Sequence, residues 1–338
     1  MEEKYFAASN SEKGFVSYFG QIFDPSAFGH IYIIKGGPGT GKSVFMRKIA
    51  ERAEKEGKKV VRYYCSSDQT SLDGITVEND FAVLDGTAPH DTDATLPGAA
   101  EDIVDLGVFW DSNVLASHRE EIGRLNAEKK RAYSRTYRFL AAYGDVTGAL
   151  RELAMPIFDP EKAEKYVTRR IGNARGKKYE THIAVCNSVG MDGCVKFTSL
   201  EERASEVCRI DDSLGLSHLV LSAALGTAVR RRLSVTVSYD PIICSVPDAV
   251  FFEESGILFE SAPHGSINPT RFMDKEAVGS VKKKIKSAVR LREAMLSEAE
   301  NALSDVKKAH FEIEKIYGAA MNFGAKERFT EKFINELF

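Results

Sequence analysis

The chain alternates short apolar runs with longer stretches of helical periodicity. Runs rich in β-branched and aromatic residues predict strands near residues 5–9, 30–35, 59–65 and 81–85. Further along, apolar residues recur at steps of three and four, the spacing of a long helix with one buried face. This order of elements indicates an α/β fold in which small, mostly parallel sheets are followed by long helices.

Two helical tracts carry such an apolar seam. In the later tract it consists of Val278, Val281, Ile285, Val289, Leu296, Ala299, Leu303, Val306, Ile313 and Tyr317. In the earlier tract it consists of Leu115, Ile122, Leu125, Ala132, Phe139 and Val146, and Gly144 and Gly148 predict interruptions. Helices of this length usually pack against a partner helix, so we expect these two to pack on each other or on another protein.

The chain also matches itself. Residues 5–16 (YFAASNSEKGFV) resemble residues 182–195 (HIAVCNSVGMDGCV). Further matches follow in the same order: His30 with His218, VVRYY at 60–64 with VTVSY at 235–239, APH at 88–90 with APH at 262–264, and FWD at 109–111 with FMD at 272–274. An ordered series of this kind predicts two tandem units, residues 1–158 and residues 179–338.

The predicted linker between the units, residues 159–178, is basic. Its cations are Lys162, Lys165, Arg169, Arg170, Arg175, Lys177 and Lys178. A run of like charges is most often a solvated face, and the alternative is a surface that reaches a phosphate group or an acidic partner.

Composition narrows the class of protein. The 338 residues carry a net charge of -3, which argues against a surface that coats nucleic acid. No apolar run reaches the roughly 20 residues that span a bilayer, and the first residues lack the apolar stretch of a signal peptide, so we expect a cytoplasmic protein without a membrane segment. Five cysteines without a C-x-x-C pair favour reduced thiols over a disulfide framework or a zinc site.

A glycine-rich loop joins a predicted strand, residues 31–34, to a predicted helix that begins near Val44. The loop residues are Gly36, Gly37, Pro38, Gly39, Thr40, Gly41, Lys42 and Ser43. Glycines let backbone N–H groups surround a phosphate at the helix N-terminus, where the helix dipole also favours negative charge. In this pattern Lys42 reaches the β- and γ-phosphates and Ser43 places its hydroxyl on Mg²⁺. The sequence therefore predicts a nucleoside triphosphate site.

Three further side chains are candidates for the chemistry. Asp85 ends an apolar strand and is predicted to hold the water shell of Mg²⁺, although Asp85-Gly86 is also a turn signal. Asp68 follows the strand near 59–65 and is a candidate general base, or a group that orients water. His90 could bind phosphate or water, but Ala-Pro-His recurs at 262–264, which favours a shared structural role. Asp73, next to Gly74, is expected to shape a turn.

The second unit lacks the loop. We place its equivalent at residues 219–229 (LVLSAALGTAV), which contain no lysine and leave a shorter connection than in the first unit. This segment cannot surround phosphates in the same way, so the second unit is interpreted as structural or regulatory.

The first half resembles the P-loop nucleoside triphosphatase superfamily in the form GGPGTGKS at 36–43. A wider set is similar to a group of bacterial predicted ATPases with two tandem P-loop repeats: SNSEKGF at 9–15, CSSD at 65–68, SLDG at 71–74 and LDGTAPH at 84–90. The resemblance covers most of the chain and implies the fold and the binding of ATP. Members of the group carry a glycine-lysine loop in both halves. In this chain the second loop is lost, which puts a two-site mechanism in doubt. Asp85 also lacks the glutamate that commonly follows it, which implies slow or partner-dependent turnover.

The function predicted from sequence is therefore an ATP-binding protein with slow, Mg²⁺-dependent hydrolysis. Two alternatives stay open. A small-molecule kinase would use the same loop and Asp68 as the base. A nucleotide-gated binding module would hold ATP without turnover and use its long helices to engage a protein partner.

Overall fold

The computed structural model describes residues 2–90 and 92–338. Its first half consists of β1 (Glu3–Phe6), β2 (Ala8–Ser11), β3 (Gly14–Ser17), α1 (Phe19–Ile22), β4 (His30–Lys35), α2 (Lys42–Lys55), β5 (Val60–Tyr64), β6 (Leu72–Val77), β7 (Phe81–Asp85), β8 (Glu101–Asp105), α3 (Ser112–Ser117) and α4 (Arg119–Ala154). There follow α5 (Pro160–Ile171), β9 (Glu180–Ile183), β10 (Asn187–Gly190), β11 (Gly193–Lys196), α6 (Ser199–Arg203), β12 (Glu206–Asp211), α7 (Ser217–Arg231), β13 (Ser234–Tyr239), β14 (Pro247–Phe252), β15 (Ile257–Ala262), α8 (Lys275–Ala319) and α9 (Phe323–Leu337). Short 3-10 turns lie at Pro25–Ala27, Leu106–Phe109, Met155–Ile157 and Pro269–Phe272.

The α/β class is confirmed, and each half has one mixed sheet. In the part of the chain that the structure describes, the first sheet has the strand order β1-β5-β6-β7-β4-β8, in which β6 alone runs opposite to the others. The second has the order β9-β13-β14-β15-β12, in which β14 is the reversed strand. The hairpins β2–β3 and β10–β11 form separate small sheets. The order of the first five strands thus recurs in the second sheet, which among the described residues has no counterpart of β8.

Two strands of the first sheet were not predicted. β8 was missed, and so was β6, in which Asp73 and Gly74 lie inside the strand and not in the expected turn. Gly74 permits this because the ring of Phe23 lies where a Cβ would project. A glycine within a strand often marks such a close approach.

One of the sequence matches between the halves is wrong. His30 begins β4, whereas His218 lies in the first turn of helix α7, and the strand equivalent to β4 is β12. The apolar run LVL at 219–221 fits a buried strand or a buried helix equally well by its pattern. It is buried within α7, and the loop equivalent to residues 36–41 therefore precedes this helix.

The two long helices, α4 and α8, pack against each other. Ala132 and Leu140 of α4 share a core with Ala299, Leu303 and Val306 of α8. α4 continues through Gly144 and Gly148, which were expected to interrupt it. At Gly144 the side chain of Glu12 lies against the helix backbone, which explains the glycine without a break.

The halves exchange elements at both ends of this helix pair. Helix α5 follows α4 but packs on α7 over the second sheet, with Ala163, Val167 and Ile171 buried, so that residues 160–171 of the predicted linker form part of that core. Helix α9 follows α8 but packs on α2 in the first half. Each half therefore completes the core of the other. Among the described residues, no helix combines the length and the apolar character needed to cross a bilayer.

Candidate functional site

The glycine-rich loop lies between a buried strand and a helix, as the sequence predicts. Strand β4 is flanked by β7 and β8, both parallel to it, and Ile31, Ile33 and Ile34 are buried. Three glycines of the loop have positive φ, Gly36 at 152°, Gly39 at 72° and Gly41 at 81°, and the last leads into the first turn of α2. Only glycine adopts such angles without strain. The turn leaves the first N–H groups of α2 without helical acceptors at the carboxyl edge of the sheet.

Lys42 folds back over this loop. Its Nζ donates to the carbonyl oxygens of Gly36 (2.9 Å) and Gly37 (3.0 Å) and lies 3.5 Å from Oδ2 of Asp85. The side chains of Lys42 and Asp85 are 12% and 13% exposed. Lys42 thus holds the loop to the end of β7 while its ammonium group faces the space above the loop.

Ser43 and Asp85 are the predicted magnesium ligands. Ser43 Oγ accepts a hydrogen bond from Leu72 N–H at 3.0 Å, and Asp85 accepts from the N–H and the hydroxyl of Thr87 at 2.9 and 2.6 Å. Asp85 therefore also caps the turn that follows it. Poor solvation raises the pKa of Asp85, an effect that Lys42 opposes. One or two protein oxygens beside substrate phosphates match the usual environment of Mg²⁺.

Asp68 and His90 lie on either side of this region. Asp68 accepts hydrogen bonds within its own loop, from Thr70 Oγ1 at 2.8 Å and from the Ser71 hydroxyl. The ring of His90 stacks on Phe19 with centroids 4.0 Å apart, and its Nε2 lies 2.9 Å from Oδ2 of Asp73. The side chain of His90 is 4% exposed. His264, its proposed counterpart, is exposed, so the two histidines share no structural role.

These residues line one cavity of about 590 Å³. Its floor is the loop with Ser43, and its sides are the segments 65–73 and 85–90. Side chains from distant parts of the chain complete the wall: Lys129 and Tyr133 from α4, Met191 from the β10–β11 hairpin, and His310 and Glu314 from α8. The cavity is therefore built by both halves of the chain.

Lys129, His310 and Glu314 form a polar chain that was not predicted from sequence. Lys129 Nζ lies 3.1 Å from His310 Nδ1, and His310 Nε2 lies 3.6 Å from Glu314 Oε1. Burial and the nearby ammonium of Lys129 lower the pKa of His310 to about 4, so the imidazole is neutral at physiological pH. Burial and Asp68 raise the pKa of Glu314. The available signal was the spacing of His310 and Glu314, one helical turn apart on the seam side of α8.

Helix α8 also touches the loop itself. A Cβ on Gly39 would lie 2.6 Å from the carbonyl oxygen of Glu314, and a Cβ on Gly37 would lie 2.8 Å from the ring of Tyr317. Glycine at these two positions lets the helix and the loop approach each other closely.

Comparison with known proteins gives one family match. Residues 17–77 match the family described as Nephrocystin 3, N-terminal. The matched segment runs from the end of β3 through the glycine-rich loop and α2 to the end of β6. No curated protein and no solved structure matches the chain. The match covers a small part of the chain, and it falls on the segment that contains the loop.

In the second half the equivalent loop, residues 212–216, is filled by protein side chains. Strand register places Ser261 at the position of Asp85, because Ser261 pairs with Ile210 as Asp85 pairs with Ile34. Ser217, at the first position of α7, lies with its Oγ 2.9 Å from Ser261 Oγ, where the first half has the lysine and aspartate. The expected location at 219–229 is therefore wrong.

Arg292 of α8 occupies the space over this second loop. A Cβ on Gly215 would lie 2.7 Å from its guanidinium, which is 3.4 Å from Asp212. An internal cation thus stands where a phosphate ligand would otherwise need to enter.

Proposed function

We propose that this protein binds ATP with Mg²⁺ in the cavity above residues 36–43 and hydrolyses it slowly. The observation that carries the proposal is the loop between β4 and α2, which opens on a cavity beside Lys42, Ser43 and Asp85. Backbone N–H groups at a helix N-terminus, together with a lysine, favour phosphate groups. The family match over residues 17–77 covers this same segment.

In this proposal Lys42 binds the phosphates, and Ser43 and Asp85 bind Mg²⁺. Lys42 exchanges its hydrogen bonds to Gly36 and Gly37 for phosphate oxygens, which are stronger, charged acceptors. Ser43 and Asp85 hold Mg²⁺ directly or through its water shell, and the ion neutralises phosphate charge when it is bound.

Asp68 is better placed than His90 to position the attacking water. His90 is stacked on Phe19 and its Nε2 is directed at Asp73, so both packing and polar contacts fix it in the wall. Asp68 carries a carboxylate that lines the cavity and whose remaining lone pairs can accept from water. Because no glutamate follows Asp85, turnover is expected to be slow.

The test compares wild type with Lys42→Ala and the matched control Lys55→Ala. Lys55 lies in the last turn of the same helix and is exposed. Nucleotide binding by calorimetry and phosphate release from Mg·ATP would be measured for all three proteins. We expect binding and release in wild type and the control, and loss of both in Lys42→Ala. Absence of nucleotide binding in wild type would refute the proposal.

A nucleotide-gated binding module is the second candidate. The observation in its favour is the contact between α8 and the loop at Gly37 and Gly39, through which the presence of nucleotide could alter the α4–α8 pair. Tight binding without phosphate release would support this candidate over the ATPase. Phosphate transfer only on addition of a small acceptor would instead identify a kinase.

A further inference from the structure

The part of the cavity wall that α4 and α8 supply contains a second ammonium group. Lys129 projects from α4 into the same cavity that Lys42 lines. Its Nζ contacts Nδ1 of His310, and among the described residues it makes no ion pair with a carboxylate. A partly buried cation whose acceptor is a neutral ring is poorly compensated. This arrangement favours an anion in the adjacent space.

The rest of the chain fixes where that ammonium points. Because Lys129 donates to Nδ1 of a neutral His310, the imidazole carries its own proton on Nε2, which faces Glu314. His310 and Glu314 lie one turn apart on α8, and the backbone of Glu314 abuts Gly39 of the loop. Helices α4 and α8 therefore hold the ammonium group of Lys129 at a fixed position relative to the loop.

The position of Lys129 in the cavity determines which part of a bound nucleotide it would contact. A loop of this kind holds the β-phosphate at the helix N-terminus, and the terminal phosphate extends from it toward the carboxylates at the strand ends. Asp68 lines the cavity together with Lys129, His310 and Glu314, and Glu314 abuts the loop at Gly39. A terminal phosphate that extends from the loop toward Asp68 would therefore enter the part of the cavity that Lys129 lines.

We propose that Lys129 binds the terminal phosphate of a bound nucleoside triphosphate, with His310 and Glu314 as positioning residues, and so makes the site selective for triphosphates over diphosphates. The proposal rests on the proposed function, since it needs nucleotide in the cavity. It adds a ligand contact from the helix pair to those from the loop. A site with the loop contacts alone would distinguish the two nucleotides less.

The experiment measures the affinity of the full chain for Mg·AMP-PNP and for Mg·ADP by calorimetry. The variants are Lys129→Met, Lys129→Arg, His310→Asn and the matched control Lys130→Met, which changes the adjacent exposed lysine of α4. We expect Lys129→Met to weaken AMP-PNP binding by roughly 10- to 100-fold, the range of one charged hydrogen bond, with little change for ADP. The arginine variant should restore part of the preference, and His310→Asn should lose part of it.

The outcomes separate the two proposals. If wild type binds neither nucleotide, the proposed function and this inference both fail. If wild type binds both and Lys129→Met weakens them equally, or weakens neither, the loop site stands and the role of Lys129 is overturned. A purely structural role would lower both affinities together, so the ratio of the two affinities is the deciding quantity. The Lys130→Met control should leave that ratio unchanged.

Discussion

Arg292→Met should destabilise the protein in a manner that depends strongly on pH. Arg292 is 13% exposed, lies over the ring of Tyr143 and sits 3.4 Å from Asp212. Poor solvation raises the pKa of the nearby Asp240 and holds that of Asp248 well above its usual range, and Arg292 opposes the shift at Asp240. Methionine keeps much of the volume of the side chain but removes the cation from this group of carboxylates.

The expected size follows from the loss of one partner in a poorly solvated charge cluster. Such a loss costs roughly 3 to 5 kcal/mol in the free energy of unfolding when the carboxylates are ionised. The aspartates have raised pKa values in the folded state, so the folded protein binds protons more readily than the unfolded chain, and stability is gained as pH falls. Each additional proton bound on folding contributes about 1.4 kcal/mol per pH unit, so the comparison is made at about pH 7.5 and about pH 5.5. The defect should therefore be largest at the higher pH.

Two other titratable groups lie near this cluster, and we do not expect either to contribute to the pH dependence. His218 has its pKa lowered to about 4 chiefly by burial, with contributions from Arg151 and from Arg292 itself, so in the wild type it stays neutral over the same interval. Lys196 faces Asp248, and its pKa is raised by its carboxylate partners, so it stays charged. Burial, the largest cause at His218, remains in Arg292→Met, so we expect neither group to change its charge in the window of the measurement.

The assay is urea denaturation followed by circular dichroism at both pH values. The control is Arg290→Met, which removes an exposed arginine from the same helix and should change stability by less than about 0.5 kcal/mol. An equal loss for Arg292→Met at the two pH values would refute the account of this cluster. A loss no larger than that of the control would show that Arg292 does not compensate the aspartates at all.

Three other changes test separate contacts. Asp85→Asn should lower Mg²⁺-dependent phosphate release by roughly 10- to 100-fold. The control is Asp80→Asn, which changes an exposed aspartate. An unchanged rate in Asp85→Asn would exclude Asp85 from the metal site. Gly39→Ala and Gly57→Ala both place a side chain at positive φ, which costs roughly 1 to 2 kcal/mol. Only the side chain at position 39 would also meet α8, so Gly39→Ala should lower the melting temperature further than Gly57→Ala. Equal shifts would contradict the contact between α8 and the loop. Leu303→Ala should lower the free energy of unfolding, measured by urea denaturation, by about 2 to 5 kcal/mol. Leu291→Ala, on the exposed side of α8, should hardly change it. Similar losses for the two variants would contradict the α4–α8 packing.

Sequence reasoning succeeded where the signal is local. The apolar run before Gly36, the glycines and the helix-forming residues after Lys42 are contiguous, and the structure has β4, the loop and α2 in that order. The seams of α4 and α8 were also readable, because helical periodicity extends over many turns in each. Predictions of this kind depend on neighbours in the chain.

It failed where a residue's role is set by a distant contact. Gly74 reads as a turn but accommodates Phe23, and Gly144 reads as a helix break but accommodates Glu12. The second loop was misplaced because an apolar run such as 219–221 has no period that separates a buried strand from a buried helix. Lys129 and His310 are 181 positions apart, so no local pattern could have brought them together.

The exchange of elements between the halves explains what the second half contributes although its own loop is filled by Arg292. Met191 N–H donates to the carbonyl oxygen of Ser67, so the β10–β11 hairpin supports the segment that carries Asp68. Glu12 N–H donates in turn to Ile242 in the corresponding segment of the second half. Because α8 supplies His310 and Glu314 and continues into α9, which packs on α2, part of the wall and the outer support of the first site come from residues beyond 158. The second half is therefore a structural component of the first site, and the candidate nucleotide site is a property of the whole chain.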